Sequence, residues 1–159
     1  MKIKIVCVGR IKEKFFTDAI AEYTKRMGKF SEVEIVEVPD EKTDEKASEA
    51  DRQIVLMKEG ERLLKHIGDR DHVFILDIKG KKLSSEAFAQ KIKDVLLSGS
   101  NTITFVIGGS LGLSDAVKAR GDYSLSFSDM TFPHQLMRVI LLEQIYRTFK
   151  INAGEPYHK

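Results

Sequence analysis

NTITFVIGGSLGLSD, residues 101–115, decides the fold. From Ile103 to Ile107 the run is nearly all apolar, and paired glycines close it. A strand with one wet face alternates polar and apolar residues, whereas a strand covered on both faces need not. HVFILDI, residues 72–78, has the same character. Two doubly covered strands require helices above and below one sheet, so the class is α/β: a mostly parallel sheet flanked by helices.

The flanking segments agree with that plan. KIKIVCV (2–8) reads as a strand, and Gly9 ends it. Phe16, Ile20, Tyr23 and Met27 then recur at helical spacing up to Gly28. VEIVEV (33–38) alternates apolar and acidic residues, which predicts a strand with one wet face. The polar run 39–52 reads as a solvated loop entering a helix that carries on through residues 54–68 despite Gly60. KGKK (79–82) reads as a turn, and Ser84 or Ser85 as the cap of the next helix. A short helix over 114–120, a strand over 123–127 and a last helix from about Pro133 to Lys150 complete the alternation.

The chain has 159 residues, a length that suits one domain over 1–159. Its net charge of +2 permits an RNA partner without arguing for one. The lone Cys7 lies in an apolar strand and reads as a buried small residue, in keeping with a reducing cytoplasm. No segment approaches the ~20 apolar residues of a membrane span, and a soluble, cytoplasmic protein is expected. The four histidines are scattered, so no metal site is expected.

Four stretches offer chemistry. In FVIGGSLGLSD (105–115) the spacing GGxxG is neither a dinucleotide fingerprint nor a P-loop. It reads equally as a tight strand-to-helix turn and as a loop that lets backbone approach a ligand. Asp77, at the end of a buried strand, reads first as part of a turn. The densest stretch is LSFSDMTFPHQLMRVILLEQIYRTFK, residues 125–150. Pro133 suits a first helical turn, and Asp129 or Thr131 is expected to cap it. His134 and Arg138 are one turn apart and share a helix face. Arg138 stands among apolar residues and needs a partner. Either Glu143 or Asp129 completes a structural ion pair, or the guanidinium recognises phosphate or carboxylate. Leu136, Met137, Val139, Ile140, Leu141, Leu142, Ile145, Tyr146 and Phe149 leave the helix almost no polar stripe. A symmetric dimer is the economical way to cover it. In the tail GEPYHK, Tyr157 and His158 offer a ring and a titratable group, but a terminus at this spacing usually has no role.

Taken together, these residues resemble the RlmH-type ribosomal RNA methyltransferases of the SPOUT class. FVIGGSLGL, SLSFSDMTFPHQLMRVILLEQIYR and the terminal GExYHK carry the likeness, with EYTKRM, VPDEK and LDIKGKKLSSE in support. The resemblance spans essentially the whole chain. It implies a SPOUT-type sheet with a C-terminal trefoil knot, a feature that sequence physics would not suggest because knots are nearly absent from proteins. It implies S-adenosylmethionine as methyl donor, held by Leu76, Gly108, Phe127, Ser128, Asp129, Met130, Thr131 and Phe132. It implies methylation of N3 of a pseudouridine in helix 69 of 23S rRNA, on assembled ribosomes, by a homodimer with no DNA or membrane partner. The tail of one subunit would lie near the cofactor of the other. His134, Arg138, Tyr157 and His158 are then the expected catalytic group, positioning the uracil-like ring and its phosphates. Two other classes stay open beside it: an α/β enzyme binding a nucleotide phosphate at Gly108–Gly112, and a ribosome-binding factor without catalysis.

Overall fold

The computed structural model describes residues 1–159. Strands and helices alternate: β1 (Lys2–Val8), α1 (Lys14–Met27), β2 (Glu32–Val38), α2 (Glu49–Leu64), β3 (His72–Lys82), α3 (Ser85–Leu97), β4 (Thr102–Ile107), α4 (Asp115–Arg120), β5 (Tyr123–Ser126) and α5 (His134–Asn152). The five strands form one sheet in the order β2-β1-β4-β3-β5. Every pairing is parallel. Parallel neighbours need a crossover, and the helices supply it.

Side chains of a strand alternate between the two sheet faces, and two cores result. Ile3, Ile5, Cys7, Phe74, Ile103 and Phe105 pack with residues of α3 and α5, such as Ile92, Leu141, Leu142 and Ile145. Val6, Val8, Val73, Ile75 and Val106 face the other way and meet Leu63 of α2 and Val117 of α4. Each such side chain, fully withdrawn from water, contributes about 1.5–3 kcal/mol. The edge strand β2 keeps Glu32 and Glu37 exposed near its two ends, but it has no single wet face: Val33 and Ile35 pack on one core and Val36 and Val38 on the other. Burial also pushes the Cys7 thiol up to about 11, so the group stays protonated and unreactive at neutral pH.

α2 starts at Glu49, inside the run read as polar loop. Ser48 caps it: its hydroxyl accepts from the Asp51 N–H, and the Asp51 carboxylate accepts from the Ser48 N–H. This reciprocal pair satisfies two free donors of the first turn. Ser48→Ala should lower stability by about 1 kcal/mol, read as a shift of the urea midpoint at unchanged slope. Ser84 caps α3 as expected, accepting from the Ala87 N–H.

The KGKK segment does not end the strand. β3 runs on to Lys82, but its register against β5 shifts between Leu76 and Lys81. The intervening residues bulge outward, and Gly80 lies flat against β5. A Cβ there would come within 2.7 Å of the Ser124 carbonyl. This bulge sits beside the carboxyl end of the sheet, where open α/β folds bind ligands.

α5 begins at His134 with no side-chain cap, so neither Asp129 nor Thr131 serves as one. Asp129 instead pairs with Lys82 at 2.7 Å, and Ser128 takes the local role by accepting from the Met130 N–H. The helix is not buried all round. Leu141, Leu142, Ile145, Tyr146 and Phe149 are buried, whereas Leu136, Met137, Val139 and Ile140 are only partly covered. No helix is long and apolar enough to cross a membrane.

Candidate active site

An open cleft of about 160 Å³ lies at the carboxyl ends of β3, β4 and β5. Its walls are Leu76, Asp77 and Ile78 from β3, the glycine turn after β4, and Leu125 to Met137 of the segment joining β5 to α5. Seven expected cofactor residues line it: Leu76, Gly108, Phe127, Ser128, Met130, Thr131 and Phe132. Asp129 does not, since its carboxylate turns outward to Lys82. His134 lines the cleft, while Arg138, Tyr157 and His158 do not.

The glycine turn resolves the ambiguity left by its spacing. Gly109 and Gly112 bridge one another, with the Gly112 N–H donating to the Gly109 carbonyl at 3.1 Å. Gly112 has φ +88, in the left-handed region that favours glycine. A Cβ on Gly108 would fall 2.4 Å from the Gly112 carbonyl oxygen. The turn therefore presents bare backbone to the cleft and has no room for a side chain at 108.

Glu59 lies behind this turn, and sequence periodicity gave no reason to single it out. It is 3% exposed. One carboxyl oxygen accepts from the Glu41 N–H at 3.0 Å, and the other has no partner. A Cβ on Gly109 would lie 3.2 Å from that free oxygen. Burial raises the carboxyl above its ordinary range, opposed by the Glu41 N–H. Arg62 of α2 also donates to the Pro39 carbonyl at 2.9 Å and pairs with Glu41. The loop after β2 is thus anchored next to the glycine turn.

Arg138 is 1% exposed and finds its partners in neither Glu143 nor Asp129. It donates to Glu37 Oε2 at 2.6 Å and to the carbonyls of Val8 and Gly9 at 2.9 and 2.7 Å. Glu37 in turn accepts from the Ile11 N–H at 2.9 Å. Arg138 therefore fixes the last carbonyls of β1, directly behind His134: a Cβ on Gly9 would lie 3.7 Å from His134 Nε2. Glu143 is taken by Arg147.

The tail folds back onto its own chain. The Tyr157 ring packs edge-on against Tyr146, and its hydroxyl donates to Glu143 at 3.2 Å. Burial, then the Glu143 charge, pushes the Tyr157 hydroxyl above its usual range. His158 lies 2.7 Å from Glu86 of α3 and 3.1 Å from Arg147 of α5. Glu155 pairs with Lys29 and Lys150.

Two titratable side chains line the cleft, Asp77 and His134. Asp77 is engaged, accepting from the Lys79 N–H at 3.1 Å and facing Lys118 at 3.4 Å. His134 is held below its ordinary value by partial burial and then by Arg138, with Asp40 acting in the opposite direction. No lysine or arginine lines the cleft.

The family model described as "Predicted SPOUT methyltransferase" matches residues 1–158. Full-length relatives agree. The chain is 60% identical to "Ribosomal RNA large subunit methyltransferase H" of Bifidobacterium adolescentis, over 100% of both chains. It is 59% identical to the protein of that name from Lactobacillus acidophilus and 55% to that from Leuconostoc citreum, again over 100% of both chains.

Proposed function

The chain belongs to the SPOUT methyltransferase family, and from that premise we propose that it methylates 23S rRNA. The methyl donor is S-adenosylmethionine, and the acceptor is N3 of a pseudouridine in helix 69 of the assembled ribosome. The enzyme works as a cytoplasmic homodimer whose C-terminal segment is threaded as a trefoil knot. The observation that carries this reading is the cleft: every expected cofactor residue except Asp129 lines it.

The cleft suits that donor. Its volume, about 160 Å³, is of the size that accepts a small aromatic ring system, and its mouth opens to solvent. With no lysine or arginine in the lining, a sulfonium meets no like charge. A nucleotide triphosphate would find no cation there, which counts against the nucleotide-phosphate alternative. When bound, S-adenosylmethionine supplies an electrophilic methyl group, and the protein's part is positioning and exclusion of water. Leu76, Gly108 and the 127–132 segment would hold it.

His134 stands at the start of α5 on the cleft wall. Arg138 acts from behind as a positioning residue, by holding the end of β1. Tyr157 and His158 serve the cleft of the twin subunit. The dimer is supported by apolar surface on adjoining helices: Phe15 of α1 is 67% exposed, and Leu136, Met137, Val139 and Ile140 of α5 are only partly covered.

The test is label transfer from methyl-labelled S-adenosylmethionine to ribosomes from cells lacking the gene, with stripped 23S rRNA in parallel. Label on one pseudouridine of intact ribosomes alone is the expected result. Ribosome binding with no label and no cofactor binding would instead identify a non-catalytic factor.

A further inference from the structure

Methylation at a ring nitrogen raises a requirement that the family likeness leaves unassigned. The imide nitrogen of a uracil-like ring carries a proton at neutral pH, and its lone pair is a useful nucleophile only once that proton leaves. We propose that His134 is the general base that removes it, an inference that rests on the methyltransferase reading above.

The assignment follows from elimination within the cleft. Asp77 and His134 are the only titratable side chains that a subunit gives its own cleft, and Tyr157 and His158, assigned to the twin's cleft, are engaged by Glu143 and by Glu86 and Arg147. Asp77 is committed to the Lys79 N–H and Lys118. Glu59 is sealed behind the glycine turn. Cys7 is fully buried, its thiol donating to the Val36 carbonyl at 3.5 Å. His134 alone is both on the wall and unengaged. Neither ring nitrogen has a hydrogen-bond partner in the protein, and neither is sealed from solvent.

Its surroundings hold it ready for that role. The ring stands at the first position of α5 against Gly9, whose carbonyl Arg138 fixes. The charges bearing on it are Arg138, one turn along its own helix, and Asp40, from the loop after β2. Partial burial and Arg138 keep the imidazole neutral at neutral pH, which is the form a base needs. Asp40 favours the imidazolium that forms. In the step itself the N3–H bond breaks and the proton goes to an imidazole nitrogen. The freed N3 lone pair forms the N–CH3 bond. The S–CH3 bond breaks with its electron pair left on sulfur, giving a neutral thioether. The imidazolium then returns its proton to water through the open mouth.

His134→Gln and His134→Ala, assayed on ribosomes beside the wild type, test this. The expected loss is roughly 10²-fold or more in single-turnover rate, with S-adenosylmethionine affinity by calorimetry and ribosome KM nearly unchanged. The wild-type rate should rise with pH through an inflection below about 6.5 and then level off, because the base works deprotonated. The variants should lack that limb, and imidazole should restore part of the rate to His134→Ala. An NMR titration of the histidine ring protons in the cofactor-free protein, assigned by His134→Gln, should give the same inflection. A variant that keeps both the wild-type rate and the limb would overturn the base and leave the methyltransferase reading intact. A wild type that transfers no methyl to rRNA overturns both.

Discussion

Gly108→Ala is expected to destroy the cofactor site while leaving most of the fold in place. The new Cβ would stand 2.4 Å from the Gly112 carbonyl oxygen and 2.7 Å from its carbon. Both atoms are backbone, so no side-chain rotation relieves the clash. Either the Gly109–Gly112 turn opens or the end of β4 moves. Overpacking of this kind costs about 1–3 kcal/mol, which calorimetry would register as a rise of roughly tenfold or more in the Kd for S-adenosylmethionine. Gly112 makes an instructive contrast. A Cβ there meets nothing within 4 Å, but its φ of +88 penalises any other residue. Wild-type affinity in Gly108→Ala would mean that the donor binds elsewhere.

Arg138→Ala should produce the larger loss of stability. The guanidinium makes three hydrogen bonds to Glu37, Val8 and Gly9 and is 1% exposed. Truncation takes this donor from the Val8 and Gly9 carbonyls and empties a buried volume. Breaking a buried ion pair costs about 3–5 kcal/mol. The lower end applies here, because the Glu37 side chain is 34% exposed and water can reach it. Glu37→Gln should cost less, since it retains an acceptor for Arg138 and for the Ile11 N–H. Urea unfolding of both variants measures the difference. Arg138→Lys is not a conservative test, because a single ammonium does not reproduce the planar fork. If Arg138→Ala were as stable as wild type, the end of β1 would have to be held by other contacts.

The two predictions also mark where sequence reading succeeds and where it stops. The glycine turn was visible as GGxxG at the end of a buried strand, because glycine at such a position always signals a backbone demand. Which demand applies at each position was not visible. Gly108 is fixed by a neighbour four residues on, Gly109 by Val8 of β1 and Glu59 of α2, and Gly112 by its own dihedral angle. Arg138 was conspicuous as a charge in an apolar helix, and a partner was expected nearby. Its carboxylate partner is 101 residues away in sequence, on β2. The KGKK segment differs from its expected turn for a related reason. A turn and an outward bulge use the same residues, and only the proximity of β5 at Gly80 separates them.

The sequence by itself determined the α/β class, the doubly covered strands, a serine cap at 84 or 85, the glycine turn, and the near absence of a polar stripe on the last helix. These features follow from the local rules of periodicity, capping and glycine geometry. Only the tertiary structure decided the order β2-β1-β4-β3-β5, the burial of Glu59 behind Gly109, the seat of Arg138 and the partial cover of the apolar residues in the first turns of α5. It also left His134 as the one free titratable group on the cleft wall. Those outcomes depend on which distant segments pack together, and pairing between elements leaves no period in the chain for local patterns to reveal.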